Sequence, residues 1–559
     1  MAERQVIRGG TVFDGTGSPG VRADVAVRDG VIEAIGAVGH EDGDRQFDAS
    51  GCIVSPGFID IHTHYDAQVC WDPRFTPSSY HGVTTVVLGN CGFSIAPTRS
   101  EHRNMIVETL RNVEDMSPET LHAGVRWDFV SFPEYLEFVE RDGIGLNAGG
   151  YLGHTPLRLY VMGEDAFERK ATAEELRAMQ SLLRQGLQQG AMGFSTSFSA
   201  SHQGPEGKPI PSRLAGREEV LGLLEVVAEE RRGLVAIVPG GEFPVESLYE
   251  LQPTVGVPFT YGAILARMDG SHRHQLELNR EGRLAGAEVW PQVTPRPLTF
   301  SLSMDNPFTL NPNPAFGELI GSSDVERRRA YESPAWRDRA AEGSDGQQVL
   351  VPRWDTYVVR RSTAHPEVEG TTIAAVARAR GIHPVLALVD LALGEPGLQL
   401  PVTCIVANDD EAGVADILKD DGCTLGLSDA GAHVSQLCDA PQATDFLGRW
   451  VRDRQIMSLE KAIHRLTGRQ AEILGIRGRG YLRPGYAADV AVFDFASVSP
   501  GPIREAHDFP GGALRLTAPE PTGVRHVFVN GVPIRVDEAQ VESRDLPGRI
   551  VRPAVRPAA

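Results

Sequence analysis

A chain of 559 residues with 41% hydrophobic and 23% charged content can bury a large core and leaves room for a second, smaller domain. Its formal net charge of -20 repels phosphate backbones and anionic membrane surfaces, which argues against nucleic acid and membrane partners and leaves a small molecule as the expected ligand. The opening MAERQVIRGG lacks a signal-peptide core, and no stretch approaches the roughly 20 apolar residues that span a bilayer, so a cytoplasmic protein is expected. Six cysteines (52, 70, 91, 404, 423 and 438) are too scattered for a disulfide framework and read as thiols.

From Val6 to about residue 55 the chain alternates in short segments broken by Gly and Asp (VIRGGTVFDG, DVAVRDGVIEAIG), the pattern of hairpin strands. The same texture returns in YLRPGYAADVAVFD and GVRHVFVNGVPI, with an Asn530-Gly531 turn. Two strand-rich ends around a long middle predict one composite β-sandwich domain, built from residues 1–56 and 476–559.

Between them, residues 57–475 alternate apolar strands with amphipathic helices such as 171–190 and 217–233. The predicted strands are 57–64, 83–89, 145–153, 191–197, 234–240, 257–264, 289–295 and 424–429. Eight such units make the fold class α/β, a (β/α)8 TIM barrel. The gap from 296 to 423 is too long for one connection, and its Pro-, Asn- and Arg-rich beginning predicts an inserted lid at about 298–370. A separate small domain is the competing reading.

Barrel chemistry sits at the C-terminal ends of the strands, and the donors expected at the site lie there. The first carries FIDIHTHYD, where His62 and His64 point to one face because side chains along a strand alternate, and one metal ion can be held between them. Asp60 and Asp66 are candidate outer partners for the two rings. A bare His-x-His more often only packs; the preceding Pro-Gly and the apolar run favour ligation here. Cys91 follows the second strand and suits zinc, with an inert buried thiol as an equal alternative. His154 and Arg158 follow the third strand. Asp429 ends the eighth as a metal ligand and proton carrier, weighed against a helix N-cap, and His433 lies four residues on.

These pieces, together with GVTTVVLGNCGFSIAP, GHTPLRLYVMG, AMGFSTS, LGLSDAGAH and RPGYAADVAVFD, resemble the amidohydrolase superfamily, and within it the N-acyl-D-amino-acid deacylase branch, over nearly the whole chain. The resemblance implies the same barrel and sandwich, His62 and His64 as the metal pair, Cys91 as a ligating thiolate and Asp429 as the catalytic acid. It also implies water attack on an amide, releasing a carboxylic acid and a D-amino acid. Two departures stand out. The histidines that such enzymes carry after strands five and six are absent from IVPGGEFP (237–244) and PFTYGAILAR (258–267), as is the lysine that follows the second of them.

The lost imidazoles favour one divalent ion, zinc, over two, held by His62, His64 and Asp429 with Cys91 or His433 completing the shell. Glu242, His272 and His274 are weaker substitutes, the histidines reading as solvated loop residues. Arg158, Arg267 and Arg296 are the candidate cations for a substrate carboxylate, each equally explicable as a surface ion pair. Two further functions fit the same residues: hydrolysis of cyclic amides or other C–N bonds, and a binding protein that has lost its metal centre. A homo-oligomer is compatible with the sequence.

Overall fold

The computed structural model describes residues 4–347, 350–542 and 546–557. Eight parallel strands form its centre: Phe58–Asp60, Val83–Leu88, Asn147–Gly150 continued by Leu152–Gly153, Gly193–Ser197, Leu234–Val238, Phe259–Tyr261, Val289–Val293 and Thr424–Leu425. Each pairs with the next in chain order. The ring closes where Thr63 bridges Ala430 and the His64 amide donates to the Ala430 carbonyl at 2.8 Å. All eight predicted strands are present, shorter at their ends. Every residue of Val83–Leu88 is buried, as a strand covered on both faces requires.

Helices shield the barrel on the outside. Ala173–Gln188 begins at a capping box in which Thr172 and Glu175 satisfy each other's amides, and it buries Met179, Leu183 and Leu187, four residues apart, against the strands. Arg217–Glu230 follows with its own apolar face.

The two chain ends share one nine-stranded sheet. Its seam is the antiparallel pairing of Ile53–Pro56 with Val490–Phe493, and Ile7, Val25, Val54, Val490 and Phe528 form its core. Asn530 and Gly531 turn with φ of 47° and 78°, the left-handed pair a two-residue hairpin needs. Two parts of 476–559 lie outside this sheet. The hairpin Arg504–Phe509 and Ala513–Thr517 packs on the barrel side, Phe509 edge-on to Trp71. The tail returns beneath the barrel, where Gly548 and Ile550 bridge to Ile144 and Ala148 and bury Ile550 and Val551.

Between strands seven and eight lies a unit with its own centre. Leu298–Leu302, Val402–Ala407 and Val358–Val359 form a three-stranded antiparallel sheet, and Phe300, Phe316, Trp336, Leu388 and Val402 belong to a core separate from that of the barrel. The unit runs past residue 370 because its first strand finds its partner only at Val402–Ala407. Among the described residues no helix is long and apolar enough to cross a membrane.

Candidate metal centre

At the C-terminal mouth of the barrel, three donor atoms converge and a carboxylate stands beside them. His62 Nε2 and His64 Nε2 lie 3.3 Å apart, and Cys91 Sγ lies 3.4 Å from His62 Nε2. Asp429 Oδ1 stands 3.1 Å from His62 Nε2 and 3.8 Å from His64 Nε2. Both histidines are buried.

The far edge of each ring is occupied. His62 Nδ1 is 2.5 Å from the Gln292 side-chain oxygen, and His64 Nδ1 is 3.0 Å from Glu114 Oε1. A carbonyl or carboxylate oxygen accepts, so each Nδ1 carries a hydrogen, and in the neutral ring each Nε2 is left with a lone pair for a cation. Two lone pairs at 3.3 Å repel unless a proton or a metal cation stands between them. The arrangement is that of metal-binding histidines whose second nitrogen is fixed by an outer partner. Ligands at the usual zinc distances on a tetrahedron would stand about 3.3 Å apart for two nitrogens and about 3.5 Å for nitrogen and sulfur. The His62–His64 and His62–Cys91 separations match, and the residues present therefore fit a divalent cation.

Electrostatics point the same way. Burial by itself would depress the His62 pKa, but the charges of Cys91 and Asp429 outweigh it and raise it to about 10. Burial would raise Asp429 and Cys91, yet the two imidazoles hold the carboxyl well below its ordinary range and lower the thiol. The Asp429 carboxylate and the Cys91 sulfur thus face two imidazoles around a focus that attracts positive charge.

The backbone is bent to bring them there. Cys91, Asp429 and His433 have φ of 55°, 46° and 47°, a left-handed conformation uncommon for side chains other than glycine. Gly431 lets the strand-eight loop lie against strand one: a Cβ there would stand 2.8 Å from the His64 carbonyl carbon. Ser428 Oγ donates to the His62 carbonyl at 2.9 Å, and the Asn90 amide donates to the carbonyls of Thr63 and Val87.

Other residues singled out from the sequence lie elsewhere or do other work. Asp60 and Asp66 do not touch the imidazole rings: Asp60 accepts from the His62 amide and Asp66 from the Gly89 amide, so both brace backbone. His154 has both ring nitrogens engaged, by Thr196 Oγ1 and Glu219 Oε1 at 2.9 Å each, and is not free to ligate. His433 packs against Phe300 and Phe308 of the inserted unit, ring centroids 5.4 and 4.6 Å away.

Arg158 is fully buried in an ion pair with Glu219, and Arg296 is held by Asp439 at 2.6 Å and Asp445 at 3.6 Å. Both guanidiniums are thus already paired with carboxylates. Arg267 and Glu242 are exposed on the loops after strands six and five. His274 is exposed, whereas His272 is not a solvated loop residue: it is buried in the helix Ser271–Leu284 with both ring nitrogens unpartnered. Strand six reaches the site with Gly262, where a Cβ would lie 3.7 Å from His62 Cε1.

Three residues at the site carry no sequence signal by spacing. Gln292 comes from strand seven, Glu114 from the end of the helix Arg103–Glu114, and His202 from the loop after strand four, where Ser197 Oγ meets its Nδ1 at 2.7 Å. An acidic residue at a helix end or an amide on a strand looks ordinary until the fold sets it behind an imidazole.

Comparison with known proteins gives likenesses over nearly the full length of the chain. A D-aminoacylase of Alcaligenes xylosoxydans xylosoxydans is 29% identical over 539 residues, 96% of this chain and 95% of that one. An uncharacterised protein of Mycobacterium tuberculosis is 29% identical over 549 residues, covering 91% and 88%. The crystal structure of N-acyl-D-glutamate deacylase from Bordetella bronchiseptica, complexed with zinc and a phosphonate inhibitor mimicking the tetrahedral intermediate, superposes with a TM-score of 0.69 at 29% identity over 98% of this chain and 99% of that chain. The family model described as the amidohydrolase family matches residues 45–266 and 340–535. With three quarters of its length matched and a donor cluster at the barrel mouth, the chain belongs to the amidohydrolase family.

Proposed function

We propose that this protein is a metal-dependent hydrolase of a non-peptide C–N bond that removes the acyl group from N-acyl-D-amino acids. The observation that carries the reading is the convergence of the His62, His64 and Cys91 donors at the mouth of the barrel, with Asp429 Oδ1 beside the two imidazoles. Relatives named as D-aminoacylase, N-acyl-D-glutamate deacylase and N-acyl-D-aspartate deacylase, at 28–29% identity over at least 96% of this chain, support the substrate class.

We assign His62, His64, Cys91 and Asp429 as the residues that hold one zinc ion. Thiolate and imidazole suit that metal, and among the described residues strands five and six add no further donor to the cluster. When bound, the cation polarises the amide carbonyl and acidifies water from a pKa of about 15.7 toward roughly 7.

The chain's own residues do the rest. Gln292 and Glu114 fix the two rings so that their Nε2 atoms face inward. Asp429, held ionised at Oδ1, takes the proton that the attacking water loses and delivers it to the departing nitrogen. The new C–O bond gives the carboxylic acid, the C–N bond breaks, and the amino acid leaves with the transferred proton. Phe300 and Phe308 of the inserted unit, packed on His433, form part of the roof over this mouth.

The test is a zinc-reconstituted assay of N-acyl-D- and N-acyl-L-amino acids beside cyclic imides and hydantoins, reading carboxylate and amine release. Turnover confined to the acyl-D-amino acids is expected. Turnover of the cyclic amides alone would replace this substrate class.

A further inference from the structure

An N-acyl amino acid brings a carboxylate that must meet a cation, and Arg158 and Arg296 are already neutralised by Glu219, Asp439 and Asp445. We propose that Arg213 is the residue that receives this carboxylate and so selects amides bearing one. The inference rests on the deacylase reading above and names the residue that recognises its substrate.

Arg213 lies in the turn Pro211–Leu214, which follows strand four on the C-terminal side of the barrel. It is half-buried. Its Nη1 donates to two backbone carbonyls, His202 at 3.0 Å and Ala200 at 3.5 Å. Nε and Nη2 make no hydrogen bond among the described residues, and none of the described carboxylates comes within ion-pair distance. Nothing but burial acts on its pKa, which is lowered accordingly. A guanidinium partly withdrawn from water and given only neutral acceptors is short of an anion. The free Nε and Nη2 edge is the planar fork that grips a carboxylate with two parallel hydrogen bonds.

The surroundings suit an incoming ligand. Arg213 lines a cavity of about 530 Å³ together with Phe198 at the end of strand four, Lys170, and Gly241 and Glu242 beyond strand five. Glu242 shares the cavity yet stays too far away to pair with the guanidinium. The carbonyl that Arg213 holds belongs to His202, whose ring packs on Phe93 at 5.2 Å, two residues from Cys91. Burial above all pushes the His202 pKa down to about 3, so the ring that stands between Phe93 and the Arg213 segment is a neutral imidazole. A substrate whose carboxylate sits on Arg213 can extend past His202 toward the donor cluster.

The experiment separates carboxylate recognition from turnover. N-methanesulfonyl-D-leucine, whose sulfonamide resists hydrolysis, and its primary carboxamide differ only in the charged group. Calorimetric titration of both into the zinc-reconstituted full chain should show the acid binding at least about tenfold tighter. Arg213→Met should erase that preference while leaving carboxamide affinity unchanged, and Arg213→Lys should retain part of it. Preference for the acid that persists in Arg213→Met, an equal loss for both ligands, or equal binding of the two by the wild type overturns the inference. The deacylase reading is judged separately, by turnover of N-acetyl-D-leucine in the wild type.

Discussion

The Nε2 atoms of His62 and His64 stand 3.3 Å apart, and neither ring can turn away without abandoning its outer partner, Gln292 for one and Glu114 for the other. The pair is thus set before any cation arrives. Preorganisation of this kind comes from three elements far apart in sequence: a barrel strand end, a helix C-terminus and the seventh strand. It explains how a site with two imidazoles, one thiol and one carboxylate can remain a defined cluster without donors from strands five and six.

Removing an outer partner should therefore loosen the metal without removing a ligand. Gln292→Leu and Glu114→Leu are each expected to weaken zinc binding by about 10–100-fold, whereas His62→Ala or His64→Ala should abolish stoichiometric binding. Competition with a chromogenic chelator measures all four. Wild-type affinity in both outer-partner variants would mean that the rings are held by the strand alone.

Asp429 combines a bond to the cluster with a proton-carrying role, and the two can be separated. Asp429→Asn keeps the shape and an oxygen donor but cannot accept the proton, so turnover should fall by about 10²–10⁴-fold. Zinc content, measured by elemental analysis on the same preparation, should fall less than in His62→Ala. Unchanged turnover in Asp429→Asn would remove the residue from the mechanism.

Much of this molecule is legible in its sequence because the barrel strands are short, apolar and bounded by glycine, as Val83–Leu88 before Gly89 and Leu234–Val238 before Pro239-Gly240 illustrate. His62 and His64 are legible for the same reason, since strand alternation is a local rule. What pairs with them is not. Asp60 and Asp66 are near in sequence yet brace backbone amides, while Glu114 and Gln292 arrive from 50 and 230 residues beyond His64 and His62. Arg158 misleads in the opposite sense: a cation at a strand end reads as a substrate contact until Glu219, 61 residues on, neutralises it. Outer partners and counter-ions are set by tertiary contact, which periodicity does not encode.

That Arg158 and Glu219 are structural can be tested directly. With His154, Glu219 joins a buried group that ties the helix His154–Met162 to Arg217–Glu230. Glu219→Leu strands the Arg158 charge and should destabilise the fold by about 3–5 kcal/mol. Combining it with Arg158→Met, which removes the stranded charge, should recover a large part of that loss in a urea titration. Additive losses in the double variant would show that the two side chains do not depend on each other.

His81 gives the fold a defined acid sensitivity. It is fully buried, with Nε2 2.9 Å from the Ala518 carbonyl and Nδ1 2.9 Å from Thr444 Oγ1, and burial, reinforced by Arg296 and Arg535, depresses its pKa from 6.5 to about 3. The unfolded chain therefore takes up a proton near pH 6.5 that the folded chain refuses. Stability from this group is complete above that pH and drains away as the pH falls toward 3, by up to about 1.4 kcal/mol per pH unit. His81→Gln does not titrate and should escape this loss. The stability of the wild type relative to the variant, read from urea midpoints at pH 7, 6 and 5, should therefore decline with acidification. A constant difference would mean that His81 accepts the proton inside the folded protein.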